Sequence, residues 1–286
     1  MNFETPIVKV CGVRTPEIAK EVIHAGADLI GVNFARISKR RITPDQARTI
    51  VRAVREVSIG SDGSPDQTTV EPAITAGSDV PALRVARVSL PETPMLSTRR
   101  PWVAGIFVEQ SVPQIAEIAS NAGLDAIQLS GECTPNVCQA VYEALKLPVV
   151  AVIRLSEAVD TMAALAQSLA GVRGVVAILI DAPGAVGGAG LPWDHRMARH
   201  VVDTTTARGV PALIAGGLRS ENVRQALDSS GAWGADVASG VERDGITDPD
   251  CVRAFISAAR APLNSEVQPF SGAPRVEAAV YSAAQP

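Results

Sequence analysis

The chain has four cysteines, Cys11, Cys133, Cys138 and Cys251, but no CxxC pair and no Cys/His cluster at metal-binding spacing. That excludes the common zinc motifs and leaves no recognisable disulfide framework, so no metal is expected and a reduced, cytoplasmic setting is the default. Long basic runs are also missing. The densest group is Lys39-Arg40-Arg41 in a chain of net charge −4. Three residues suit a local anion site better than a nucleic-acid face. No apolar stretch reaches the ~18 residues that a membrane span needs. The longest, such as 175–180, are strand-sized. Met1-Asn2-Phe3-Glu4-Thr5-Pro6 lacks a charged n-region and an apolar h-region, so no signal peptide is expected. No GxGxxG follows the first apolar run, which removes the signature of a dinucleotide-binding sheet.

What is present is alternation. The 286 residues are 47% apolar and 20% charged, which suits one large or two small globular domains with a sizeable core. Short apolar runs predict strands at 6–11, 28–34, 102–108, 125–130, 148–153, 175–180, 211–215 and 235–239. Most are rich in Val and Ile with little period-2 alternation, as for strands buried on both faces. Helical patterns follow at 16–26, 44–57, 113–122, 135–146, 157–170, 194–207, 220–230 and 248–261. Their starts are marked. Thr43-Pro44-Asp45-Gln46 and Ser111-Val112-Pro113-Gln114 read as capping boxes, and Thr15-Pro16 and Thr134-Pro135 place a hydroxyl before a proline. Gly26, Gly123 and Gly171 fall where helices should end.

Eight βα units in a row predict an α/β fold, a single (β/α)8 TIM barrel over residues 1–261. An open, doubly wound sheet is the rival. Residues 58–99, crowded with Gly, Ser, Asp, Thr and Pro, form an insertion between helix 2 and strand 3. It is far longer than an ordinary αβ loop and is expected to be mobile, leaving from the amino-terminal face. Residues 262–286 read as a loosely held tail.

A barrel gathers its chemistry at the carboxyl ends of its strands. Strand 1 ends at Cys11 and strand 6 leads into Asp181. The loop after strand 2 carries Arg40. Strands 7 and 8 run into the small-residue loops Ala215-Gly216-Gly217 and Ala238-Ser239-Gly240-Val241-Glu242. Such a pair in consecutive units is the usual phosphate cradle of a barrel. Each residue also has a plain reading: Cys11 as core packing, Asp181 as a loop cap, Arg40 as a solvated charge, Gly216 and Gly217 as turn residues. Their convergence on one face of one barrel favours chemistry on a phosphorylated small molecule.

These motifs resemble the phosphoribosylanthranilate isomerase family of tryptophan biosynthesis over roughly 6–261, apart from the insertion. Lys9-Val10-Cys11-Gly12 is similar to the family's opening Lys-Ile-Cys-Gly. Ser38-Lys39-Arg40-Arg41-Ile42-Thr43-Pro44 resembles its Ser-Pro-Arg-Tyr-Val-Ser-Pro. Gly26-Ala27-Asp28 through Phe34, Gly105-Ile106-Phe107-Val108 and Asp125-Ala126-Ile127-Gln128-Leu129 are similar to its strands 2, 3 and 4. Asp181 with Gly187-Gly188-Ala189-Gly190 resembles its Asp and Gly-Gly-Thr-Gly loop, and Ala215–Leu218 and Asp236–Glu242 its phosphate loops.

The resemblance implies an Amadori rearrangement of N-(5-phosphoribosyl)anthranilate to 1-(2-carboxyphenylamino)-1-deoxyribulose 5-phosphate, with no metal or redox cofactor. It implies Cys11 as general base and Asp181 as general acid. Arg40 would meet the anthranilate carboxylate. Gln128 and Asp236 would bind substrate, and Gly216, Gly217, Ser239 and Gly240 the phosphate. It also implies a monomer or homodimer without nucleic-acid or membrane partners. The chain departs from the family at Ser130, where His is usual, and at Asn33, Ala189, Leu191, Ala238 and Thr247. Those departures keep open an alternative: a related phosphosugar barrel enzyme acting on a modified anthranilate or another aminopentose phosphate. A non-catalytic scaffold that docks through the insertion is a third reading.

Overall fold

The computed structural model describes residues 5–60, 101–155, 158–182 and 194–262. Most of the predicted insertion, all of the Gly187–Gly190 motif with Leu191, and nearly all of the tail lie outside the described residues.

Eight parallel strands close into one barrel in chain order. They are β1 (Ile7–Cys11), β2 (Leu29–Asn33), β3 (Trp102–Phe107), β4 (Ala126–Leu129), β5 (Val149–Arg154), β6 (Val175–Asp181), β7 (Ala212–Ile214) and β8 (Gly234–Val237). The helices are α1 (Pro16–His24), α2 (Pro44–Gly60), α3 (Val112–Ala122), α4 (Pro135–Leu145), α5 (Val159–Ala170), α6 (Arg199–Thr206), α7 (Val223–Ser230) and α8 (Pro249–Ala259). The barrel shuts where β8 pairs with β1, in a register that sets Lys9 beside Asp236 and Val10 beside Val237.

Several element boundaries differ from the sequence reading. Residues 58–60 continue α2, so the chain leaves the helix three residues later than expected. The segment predicted as one helix over 194–207 is a 3₁₀ turn, His195–Ala198, running into α6. α7 begins at Val223 rather than 220, because Asn222 Oδ1 accepts from Arg219 N–H at 2.7 Å and holds a turn there. β5 and β6 each run one residue further, through Arg154 and Asp181, which are paired in register.

The helix starts form as the sequence implies. Thr43 Oγ1 accepts from Gln46 N–H and Gln46 Oε1 from Thr43 N–H. Thr15 and Thr134 cap α1 and α4 with their hydroxyls.

Two apolar layers surround the sheet. Outward residues such as Val8, Val10, Ile30, Val32, Ile127 and Ile178 pack under the helices. Inward ones, Leu29, Trp102, Ala104, Ala126, Val150, Val152, Leu179 and Leu213 among them, fill the barrel. At the amino-terminal end, Asp28 and Asp125 precede β2 and β4. Each carboxylate accepts a backbone N–H from the neighbouring strand: Val8 at 2.7 Å and Val103 at 2.9 Å. The barrel floor is thus stitched by side chains, which leaves the carboxyl end open for a site.

Candidate active site

At the carboxyl end of the strands lies a cavity of about 430 Å³. That volume suits a small organic substrate. All nine residues singled out from the sequence line it: Cys11, Arg40, Gln128, Asp181, Gly216, Gly217, Asp236, Ser239 and Gly240.

Cys11 is the last residue of β1, two positions above Lys9 on the same inward face. Burial pushes its thiol up to about 11; Lys9 and Arg40 pull the other way, and Asp236 adds to the rise. Asp181 closes β6, and its Oδ1 accepts from Ala182 N–H at 2.9 Å. Burial raises its pKa, against the Ala182 hydrogen bond, with nearby Asp236 adding to the rise. Asp236 is buried and ion-paired with Lys9 at 2.8 Å. Its pKa too is raised by burial, opposed by Lys9. Thiol and carboxylic acid therefore share one pocket, each displaced toward its protonated form.

Arg40 is not a solvated charge. It is 6% exposed, and its stem crosses directly over Gly12. Gly12 has φ +86°, and a Cβ there would fall 2.3 Å from Arg40 Cδ, so only glycine satisfies both the turn and the contact. Arg40 Nε and Nη2 donate to the two carboxylate oxygens of Glu242 at 2.5 and 2.8 Å. This fork joins the loop after β2 to the loop after β8.

Gly216 and Gly217 follow β7 with positive φ, and Ser239 and Gly240 begin a short 3₁₀ turn after β8. The two loops sit side by side because their strands are neighbours. On the opposite wall, Gln128 Nε2 donates to Ser130 Oγ at 3.1 Å, and Arg154 Nη2 to the Ser130 carbonyl at 2.6 Å. Gln128 Oε1 and Arg154 Nε are buried and have no hydrogen-bond partner among the described residues.

Three polar residues of this region were not assigned from the sequence. Lys9 was hidden within an apolar run; its two-residue spacing from Cys11 was the available signal. Arg154 lay one residue past the predicted strand end. Glu242 was quoted only as part of a loop motif, and its pairing with Arg40, 202 residues away, needs the closed barrel to bring the two loops together.

The closed barrel and the pocket at its mouth define a (β/α)8-barrel enzyme with acid–base groups set beside a pair of small-residue loops. The chain matches the family described as N-(5'-phosphoribosyl)anthranilate (PRA) isomerase over residues 70–258, and it belongs to that family. It is 38% identical to the N-(5'-phosphoribosyl)anthranilate isomerase of Roseiflexus sp. (strain RS-1) over 258 residues, 89% of this chain and 97% of that protein. With the enzyme of that name from Moorella thermoacetica it shares 32% identity, covering 92% and 93% of the two chains. Among solved structures, phosphoribosyl anthranilate isomerase from Thermotoga maritima superposes with a TM-score of 0.65 at 26% identity, covering 90% of this chain and 99% of that one. A further structure of such an isomerase, in complex with reduced 1-(o-carboxyphenylamino)-1-deoxyribulose 5-phosphate, gives 0.61 at 26% identity over the same shares.

Proposed function

We propose that this barrel converts N-(5'-phosphoribosyl)anthranilate to 1-(2-carboxyphenylamino)-1-deoxyribulose 5-phosphate, a step of tryptophan biosynthesis, with Cys11 and Asp181 moving the protons. The family assignment favours this reading over a modified anthranilate or another aminopentose phosphate. The observation that carries the residue roles is the convergence of all nine sequence-derived positions on one cavity.

The substrate is an N-glycoside. Asp181, as the neutral acid, donates its proton to the furanose ring oxygen. The C1–O bond breaks, the nitrogen lone pair moves in, and a protonated Schiff base forms at C1. Cys11, as thiolate, takes the C2 proton. The C2–H electrons form the C1–C2 double bond and neutralise the iminium, giving an enolamine. Ketonisation adds a proton at C1 and removes the one on the C2 oxygen. Proton exchange through solvent resets the thiol and the acid. No electrons leave the substrate, so the sequence of steps balances without an external oxidant or reductant.

The loops at Gly216–Gly217 and Ser239–Gly240 hold the phosphate. Gln128 and Asp236 meet the sugar and its amino nitrogen. Arg40 meets the anthranilate carboxylate, a planar anion matched to a guanidinium. The working form pairs a protonated Asp181 with an ionised Cys11, the reverse of their resting order. Its population is constant between the two pKa values and falls on either side. The protein works in the cytoplasm, as a monomer or a homodimer; a 25%-identical solved structure is of monomers generated from the dimeric isomerase of Thermotoga maritima.

The test is fluorescence decay on freshly made substrate across pH. The expected result is turnover with a broad plateau, failing toward pH 11 as Cys11 titrates fully. Cys11→Ala and Asp181→Ala should each lose on the order of 10²–10⁴-fold in kcat. No decay above background would remove the activity; full activity in both variants would remove the residue assignment.

A further inference from the structure

Below Cys11 the barrel holds a lysine where lysine is seldom found. Lys9 is 1% exposed and among the largest fully buried side chains. Its Nζ donates to Asp236 Oδ1 at 2.8 Å, across the β1–β8 seam where the two residues are register partners. Cys11, two residues further up the same strand, shares its inward face, and the Lys9 charge acts on the thiol from there. One ammonium thus serves a carboxylate and a thiol.

The neighbouring strand leaves room for this arrangement. Gly31 on β2 is the register partner of Cys11. A Cβ at Gly31 would lie 3.0 Å from Lys9 Nζ and 3.1 Å from Cys11 Cα. Any larger residue there would press on both. A buried ion pair is weak support for stability, since apolar residues of similar volume usually serve as well. The position of this one, directly beneath the proton-removing thiol, calls for another account.

We propose that Lys9 is a positioning residue for the proton-removing step: its ammonium, paired with Asp236, is the counter-charge of the Cys11 thiolate. The inference rests on Cys11 being the base. Three charges bear on that thiol from the packed elements, and Asp181 bears on two of them. Lys9 on β1 favours the thiolate. Asp236 on β8 opposes it directly and also occupies Lys9. Arg40 from the loop after β2 favours it, but its charge is shared with Glu242. Asp181 on β6 interacts with both Asp236 and Lys9. Of the two cations, Lys9 shares the strand and the inward face of the sulfur, whereas Arg40 is committed to both carboxylate oxygens of Glu242.

The experiment is alkylation of Cys11 by iodoacetamide at pH 7.5, followed peptide by peptide by mass spectrometry so that the other three cysteines do not interfere. Two variants are compared: Asp236→Asn, and the double variant Lys9→Met with Asp236→Asn. Asp236→Asn leaves the Lys9 ammonium facing Cys11 and Asp181, the double variant removes both charges of the pair, and circular dichroism checks that both are folded. In Asp236→Asn the Lys9 charge turns to Cys11, and alkylation is expected to exceed wild type. The double variant is expected to lose that gain. A two-unit difference in thiol pKa changes the thiolate fraction about a hundredfold and its intrinsic reactivity about tenfold in the opposite sense, leaving about a tenfold difference in rate. Equal rates in the two variants, or slower alkylation in Asp236→Asn than in wild type, would overturn the proposal. The assay reads the thiol and not turnover, so it stands apart from the isomerase assay. Turnover failing in wild type while the alkylation pattern holds would sink the functional reading and spare the charge assignment.

Discussion

At the scale of single residues, the site spends stability on groups whose pKa values are displaced. Asp181 is the clearest case, because burial raises its pKa above the ordinary 3.8. A carboxyl with a raised folded-state value contributes stability that is complete below 3.8 and lost as pH climbs through the raised value. At pH 7 the folded protein therefore carries a cost that an amide would not. Asp181→Asn keeps an oxygen for the Ala182 N–H and removes that cost. Its melting temperature at pH 7 should rise by about 2–4 °C, while turnover is lost. Scanning calorimetry at pH 7 and again below pH 4 checks the sign. The gain must shrink at the lower pH, where the carboxyl is protonated in both states. The charges at Lys9 and Arg40 illustrate a complementary point. A lysine inside an apolar run carries no local sign of a partner, and an arginine in a basic triplet reads as an anion site, yet each is buried on a carboxylate more than 200 positions away. Cys11 and Asp181 were legible because they sit at strand ends. The pairings of Lys9 with Asp236 and of Arg40 with Glu242 were not, because long-range partners follow from register and closure, which local patterning does not encode.

At the scale of elements, the strands were legible from their Val- and Ile-rich runs and the helices from their caps. Discrepancies gather at element ends, where one side chain decides the boundary. Asn222 delays α7, and the 3₁₀ turn ahead of α6 is capped by Asp194, which accepts from Arg196 N–H at 3.0 Å. The amino-terminal rim shows side chains serving as backbone partners. Asp125, 8% exposed, accepts from Val103 N–H and lies 3.6 Å from Arg55 of α2. It ties β3, β4 and α2 together at the end of the barrel remote from the cavity. Asp125→Ala leaves the Val103 N–H without that acceptor and should cost about 1–3 kcal/mol in urea denaturation. Its kcat should stay at the wild-type value. A fall in kcat with no loss of stability would contradict a purely architectural role.

At the scale of the whole molecule, the two ends of the barrel have different work. The carboxyl end carries the cavity, and the amino end carries the helix exits and the Asp28 and Asp125 stitches. The chain leaves α2 at Gly60 and re-enters at β3 with Trp102, which pairs with Leu29 at that amino end. Replacing residues 61–100 with a Gly/Ser linker of on the order of ten residues should therefore leave kcat/KM within about threefold of wild type. Steady-state kinetics on the shortened chain checks this, and a collapse of turnover would tie the segment to the site. The seam between β1 and β8 has a different consequence. Lys9 meets Asp236 across 227 residues, and Arg40 meets Glu242 across 202. The contacts join the first and the second βα units to the last. During synthesis, Cys11 emerges well before β8 and waits for its neighbours until the last strand has left the ribosome. Until then it is an ordinary exposed thiol, open to oxidants and alkylating agents. Its loss of reactivity would serve as a built-in clock for the moment the barrel shuts.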